Sequence, residues 1–324
     1  MGISRRSVLA AAGAVASIGG AQVRAQQAPA VRIVSPYGAG GSADTAARAL
    51  ADGLHRQTGR TFIVDQRTGA GGRIAVGIVR SAPPDGRSLL INVASGFTVL
   101  PHSSREEKDR ELTDMKPVSA VTKLDCVLYV HPSLPVANLK DFIQLAKSDP
   151  KGVLFGTSGL GNLTHMYGLM LSGASNISLK DVPFTGGSPA LLAVMSGNIP
   201  AAVGSVFGTL VQAHQDKRIR VLAIMGSRRS PFLPDVPTTV ESGLPQIAVS
   251  DWIGLFAPPS TPTALVDGLY KDVEEVMKDN RYLETLKAAM LEPIAAGPNE
   301  CAAMLKREFA IWQPIVRASG YTSS

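Results

Sequence analysis

The sequence predicts an α/β protein of two lobes facing each other across a cleft, with a helical tail that returns to pack on the first lobe. Three observations carry this prediction. Strand-like and helix-like segments alternate along most of the chain, glycine-rich loops recur at the carboxyl ends of the strand-like runs, and from about residue 262 the pattern is helical only. A strand–helix–strand order implies mainly parallel sheets covered on both faces.

Runs rich in Val, Ile, Leu or Phe place strands at 31–35, 61–66, 88–94, 126–131, 153–157, 180–184, 200–205, 219–225 and 252–257. Helical spacing places helices between them at 42–57, 71–81, 138–147, 162–173, 188–197 and 208–216. The first helix carries Ala46, Ala47, Leu50 and Leu54 on one face, with Ser42 as its expected N-cap. The fifth opens Gly187-Ser188-Pro189, where proline fits a first turn. The tail reads as helices at 262–278, 281–291 and 298–318, and Trp252 is expected to pack where the chain returns to the first lobe. The stretch 101–124 is polar and irregular, and its "REEKDRE" at 105–111 reads as a solvated face. A second α/β series begins at Asp125 and ends near Ser250. The expected division is therefore 26–124 plus 251–324 for lobe 1 and 125–250 for lobe 2.

Composition narrows the classes. With 324 residues, 45% hydrophobic and 18% charged, the chain can bury sizeable cores. Its start differs from the rest: Arg5-Arg6, a small apolar run from Val8 to about Ala21, then Val23-Arg24-Ala25. This is the layout of a cleaved signal peptide over residues 1–25, and the arginine pair matches twin-arginine export. The apolar run falls short of the roughly 20 residues that span a bilayer. Residues 1–25 hold three arginines (Arg5, Arg6, Arg24) and no acid, so the formal charge of +6 falls by three to +3 in the mature chain. That is too little for a nucleic-acid binder, and basic–aromatic interleaving is absent. Cys126 and Cys301 stand 175 positions apart, either a single disulfide or two separate buried thiols, and the five scattered histidines have no metal-binding spacing.

The loops carry the chemistry. Gly38-Ala39-Gly40-Gly41-Ser42-Ala43 follows a strand, opens a helix and fits G-x-G-x-x-G/A, with Asp65 at the end of the next strand. A dinucleotide-binding oxidoreductase is therefore one reading. Against it, Pro36-Tyr37 interrupts the tight turn such a site needs, and a second cluster, Gly69-Ala70-Gly71-Gly72, follows Asp65. Three further loops, "NVASGFT" (92–98), "GTSGLGNLTH" (156–165) and "PFTGGS" (183–188), fall at the same sheet ends. Their free N–H groups and the hydroxyls of Ser95, Thr98, Thr157, Ser158 and Thr185 read as anion capture by neutral donors. Hydrolysis finds little support, because Leu160 stands where a nucleophile elbow needs its last glycine.

These loops also carry a resemblance. "SPYGAGGSAD", "VDQRTGAGGRIA", "APPDGRSLL", "GTSGLGNLTHM", "VPFTGGSPALLAVMSGNI" and "DWIGLFAPPSTP" resemble, in order, the serial motifs of the tripartite tricarboxylate transporter receptors, the Bug-type extracytoplasmic solute receptors. The resemblance implies a type II periplasmic binding protein, not an enzyme and without a cofactor. Such a protein closes like a flytrap on a small carboxylate and hands it to membrane permease subunits, and it is expected to be a periplasmic monomer. It also implies that one carboxylate is held by Tyr37 to Asp44 and a facing loop, Ser158 to His165. The expected ligand-binding set is Tyr37, Gly40, Gly41, Ser42, Ala43, Asp44, Ser95, Thr98, Ser158, Gly161, Asn162, His165, Thr185, Gly186 and Ser205. Two departures stand out: Gln66-Arg67-Thr68 where relatives carry Asn-Arg/Lys-Pro, and Gly204 where many carry Asp, which argues against an amino-acid ligand.

Overall fold

The computed structural model describes residues 30–103 and 114–322. The expected signal peptide, 1–25, and "REEKDRE" at 105–111 lie outside the described residues. In chain order the elements are β1 (Val31–Ser35), α1 (Ser42–Thr58), β2 (Phe62–Gln66), α2 (Arg73–Arg80), β3 (Ser88–Val93), α3 (Ser95–Thr98), α4 (Leu100–Ser103), β4 (Lys116–Leu124) and β5 (Cys126–Val130). Then come α5 (Leu139–Ser148), β6 (Val153–Thr157), α6 (Leu163–Ser175), β7 (Leu179–Pro183), α7 (Gly187–Met195), β8 (Ala201–Ser205), α8 (Gly208–Gln215) and β9 (Arg220–Ile224). The chain closes with β10 (Asp251–Ala257), α9 (Thr263–Val276), α10 (Asn280–Ala288), β11 (Pro293–Ala296) and α11 (Pro298–Ser319).

Two sheets form, ordered β11-β4-β10-β3-β1-β2 and β7-β6-β8-β5-β9. Both are mixed, which corrects the expectation of mainly parallel sheets. β1 pairs parallel with β2 and β3, and β6 with β7 and β8, but β10 runs antiparallel to β3 and β4, and β5 antiparallel to β8 and β9. The reason lies in the path of the chain. β1, β3, β6 and β8 deliver their loops to the gap between the sheets, whereas β5 and β10 are where the chain leaves that gap, so they must run the other way. Every residue of β3, β5 and β10 is buried, which is why β5 reads as an unbroken apolar run and the other two as nearly so.

Two strands were not expected. β4 occupies the end of the stretch read as irregular, because Ser119 and Thr122 look polar in sequence. Their hydroxyls donate to the carbonyls of Ala296 (3.2 Å) and Glu292 (2.7 Å), so they are buried at little cost. β11 interrupts the tail expected to be wholly helical. It is a four-residue edge strand that begins at Pro293 and pairs only with β4.

The tail helices cover the first sheet. α9 and α10 pack on α1, and the fit is tight enough that a Cβ on Gly53 would come within 2.5 Å of Val276. α11 lies on β4, α3 and α4, and it also reaches the other half of the molecule at α6, where Trp312 meets Tyr167 edge-on. Trp252 is buried and stacks with Phe256, and its indole N–H donates to Glu308. Cys126 and Cys301 are two separate buried thiols, one in β5 and one in α11. Ser42 is not the N-cap of α1. Gly41 takes that position without a side-chain cap, and Ser42 is the first helical residue.

Candidate functional site

A cavity of about 280 Å³ lies between the two sheets. From the first half come Tyr37, Gly38, Ala39, Gly41, Ser42 and Ala43, with Val93 and Leu124 behind them. From the second come Ser158, Asn162, Leu163, Thr164, Thr185 to Pro189, Ser205, Cys126 and Phe207. No Asp, Glu, Lys, Arg or His is among the lining residues. Three helices, α1, α6 and α7, begin on its wall, so their unpaired first-turn N–H groups and positive dipole ends gather around one space. β6 and β8 face it with their carboxyl ends, the usual place for a ligand in open α/β sheets, while the reversed β5 presents its amino end at Cys126.

The first wall is held by Asp44. Its carboxylate accepts from the Gly40 N–H (3.1 Å), Arg48 Nε (3.0 Å) and Gln66 Nε2 (2.7 Å). Burial pushes its pKa up, but the hydrogen bonds from Arg48, Gly40 and Gln66 outweigh burial and hold it below the ordinary carboxylate value. Gly40 sits at φ +83°, a left-handed conformation that glycine adopts without strain, and its N–H is spent on Asp44. Neither Gly40 nor Asp44 lines the cavity; together they shape the turn that presents Gly41, Ser42 and Ala43. Tyr37 donates its hydroxyl to Asn92 Oδ1 at 3.0 Å, and burial raises its pKa, so it faces the cavity as a neutral phenol.

The second wall is braced the same way. Asn162 caps α6 by accepting the His165 N–H, and its amide donates to Ser158 Oγ at 2.9 Å. Ser158 N–H donates to Thr164 Oγ1, also at 2.9 Å. His165 turns away from the cavity. Its Nδ1 accepts the Gly161 N–H (3.1 Å), its ring meets Tyr321 edge-on, and burial lowers its pKa against the opposing pull of Asp181. It is a neutral bracing residue, not a lining one.

The two walls touch. Ser42 Oγ and Ser205 Oγ share a hydrogen bond of 3.2 Å, and Ser188 Oγ donates to the Gly40 carbonyl at 3.3 Å. The chain's two halves are thus joined by hydroxyls beside the cavity.

Of the expected residues, Tyr37, Gly41, Ser42, Ala43, Ser158, Asn162, Thr185, Gly186 and Ser205 come together around this cavity. Gly40, Asp44, Gly161 and His165 stand behind them. Ser95 and Thr98 do not reach it: they lie buried in α3, where the Ser95 N–H donates to Asp251 and Thr98 Oγ1 to the Ala94 carbonyl. Sequence reasoning missed the apolar wall of Val93, Leu124, Cys126, Leu163 and Phe207, whose side chains read as ordinary core. It also missed Ser188, which stands in a motif already quoted, whereas Thr164 falls within the expected loop Ser158 to His165. Asp65, the acid that a dinucleotide site needs, pairs with Arg67 at 3.0 Å and lines no part of the cavity.

Comparison with known proteins agrees with this architecture. Residues 46–321 match the family model described as "Tripartite tricarboxylate transporter family receptor". A "UPF0065 protein in tcbD-tcbE intergenic region" from Pseudomonas sp. (strain P51) is 31% identical over 97% of this chain and 94% of its own length. Among solved structures, the periplasmic binding protein BugD superposes with TM-score 0.83 at 28% identity, covering 91% of this chain and 99% of BugD. MatC from Rhodopseudomonas palustris with bound malate gives 0.81 at 26% identity, covering 89% and 98%. R. palustris Rpa4515 with adipate gives 0.84 at 27%, covering 90% and 97%. The fold is the two-lobed one of type II periplasmic binding proteins, and the chain belongs to the tripartite tricarboxylate transporter receptor family, among receptors of the Bug type.

Proposed function

We propose that this chain is an exported, periplasmic solute receptor that binds a small carboxylate between its two lobes and closes over it. Lobe 1 comprises 26–124 and 251–324, lobe 2 comprises 125–250, and residues 1–25 are removed on export. The observation that carries the reading is the cavity itself, a space without charged side chains where three helix starts converge. A carboxylate there accepts from the first-turn N–H groups of α1 and α7 and from the hydroxyls of Ser42, Ser158, Thr185 and Ser205. Neutral donors suit a receptor that must also release its ligand, because no fixed counter-charge is left buried and unpaired when the ligand departs.

In this mechanism lobe closure does the selecting. Neither wall alone surrounds the carboxylate. Closure brings Ser205 and Ser188 to the rim of the α1 loop and completes the donor set. The ligand stabilises the closed form only by its extra contacts there. The receptor then delivers its cargo, as a monomer, to membrane permease subunits. Bound malate and adipate in two family relatives support the ligand class.

A thermal-shift screen of the mature protein against di- and tricarboxylates, aromatic acids and nicotinamide dinucleotides tests the reading. Stabilisation by an acid is the expected result. Stabilisation by a dinucleotide alone, or NAD(P) absorbance carried through purification, contradicts it.

A further inference from the structure

α11 is not seated on one half of the molecule along its whole length. Its first part is fixed to the first sheet and its covering helices. Cys301 Sγ donates to the Ala296 carbonyl at 3.3 Å, Glu308 accepts the Trp252 indole N–H at 2.9 Å, and the Phe309 carbonyl accepts from His102 Nε2 at 2.9 Å. From Trp312 onward the partners change. Trp312 meets Tyr167 edge-on, and Ile315 and Ala318 share a groove with Leu169 and Ala174 of α6. Just past the helix, Tyr321 lies edge-on to His165, and a Cβ built on Gly161 would come within 3.2 Å of its hydroxyl. By chain order the tail counts with lobe 1, but its end rides on lobe 2.

Pro314 stands where the change of seat occurs. The switch falls between Phe309 and Trp312, and the hydrogen bond that a proline cannot make, from residue 314 back to the Ala310 carbonyl, spans the same turn. Ala310, Ile311 and Pro314 are all exposed, so water reaches that carbonyl. On the inner side the groove, of about 340 Å³, borders Pro314 itself and leaves the helix room to move there. Proline inside a helix is costly, and helix kinks concentrate at it.

We propose that α11 is a third connection between the lobes, beside the crossings at Asp125 and Asp251, and that Pro314 is the joint at which it bends when the lobes separate. The inference rests on the closing-receptor reading above. An unbroken helix seated on both lobes is a stiff strut that resists their separation. One hydrogen bond fewer in the turn between the two seats lets the far arm follow lobe 2. That arm ends against Gly161 and His165, which are bonded to each other in the loop that carries Ser158 and Asn162, so the joint links the first sheet to the second wall of the cavity.

Pro314→Ala and Pro314→Gly test this, because both restore the N–H. With the two walls touching, α11 runs as one helix from Pro298 to Ser319, so the restored bond favours the state in which the lobes meet. One backbone hydrogen bond of about 1 kcal/mol is worth about fivefold in that equilibrium. In small-angle X-ray scattering, ligand-free Pro314→Ala is expected to have a smaller radius of gyration than ligand-free wild type, a comparison that needs no ligand. In calorimetric titration with adipate it should bind up to about fivefold more tightly. Pro314→Gly, whose backbone is more pliable, should fall between the two. A higher melting temperature for Pro314→Ala at wild-type radius and wild-type affinity is what a merely more stable helix gives, and it overturns the joint while leaving the receptor reading standing. A wild-type radius that does not shrink with any acid that stabilises the protein overturns the closing reading itself.

Discussion

Asp44 organises the ligand-facing turn without touching the ligand space, so its removal should cost stability and affinity by separable routes. Asp44→Ala deletes the acceptor for the Gly40 N–H and for the Gln66 amide, both in a site where the Asp44 side chain is 6% exposed. Hydrogen bonds to a charged group are worth roughly 1.5–3 kcal/mol each when buried. The Arg48 contact adds little, because that side chain is 58% exposed and pairs within one helix turn. The loss is therefore about 3 kcal/mol, and at roughly 1.6 °C per kcal/mol for about 300 residues it should lower Tm by about 5 °C. Differential scanning calorimetry of the ligand-free protein reads it directly. The same experiment across pH carries a sign. A carboxylate held below its unfolded value contributes stability that is present above about pH 4 and lost as pH falls through the folded pKa. The gap between wild type and Asp44→Asn should therefore shrink on acidification. A Tm within 1 °C of wild type for Asp44→Ala would refute the bracing role.

Two further predictions concern groups away from the cavity. Burial and nearby Asp251 push Glu308 up to about 8, with the Trp252 N–H pulling the other way. Its contribution to stability is full below about pH 4.5 and is lost as pH rises towards 8, so Glu308→Gln should flatten the stability–pH curve over that window, by roughly 2 kcal/mol after allowing for partial exposure. Urea unfolding at several pH values checks it. Glu292, on the side of the first sheet, accepts from Lys123 Nζ at 2.5 Å and from Arg228 of the second half. Glu292→Gln should loosen the closed form by about 1 kcal/mol, read as a severalfold weaker ligand affinity and a larger radius of gyration in X-ray scattering.

How far the sequence revealed all this can be seen from particular elements. The strands that deliver loops to the cleft were legible because each is a short apolar run ending in glycine and hydroxyl residues; 153–157 and its loop are an example. β4 was not, because its buried hydroxyls are satisfied by carbonyls that arrive from residues about 170 positions later. The reversal of β5 and β10 was equally hidden, since local pattern cannot report on which side of a cleft a chain departs. At the site, residue type alone does not tell which layer around the cavity a residue occupies. Asn162 and His165 look like ligand contacts in sequence, yet Asn162 spends its acceptor on a helix cap and His165 spends Nδ1 on a loop N–H. Ser95 and Thr98 follow a strand as the other loop residues do, but a short buried helix takes them out of reach.

The central claim is that the start of α1 is one jaw of a carboxylate trap, and Gly41 tests it most directly. Gly41 lines the cavity, has φ −89° and ψ 174°, an extended conformation open to any residue, and a Cβ there meets nothing within 4 Å. Gly41→Val should therefore fold as wild type does while its side chain occupies the space in front of the Ser42 and Ala43 N–H groups. Calorimetric titration with adipate is predicted to show a loss of at least a hundredfold in affinity at an unchanged ligand-free Tm. Wild-type affinity in Gly41→Val would contradict the claim.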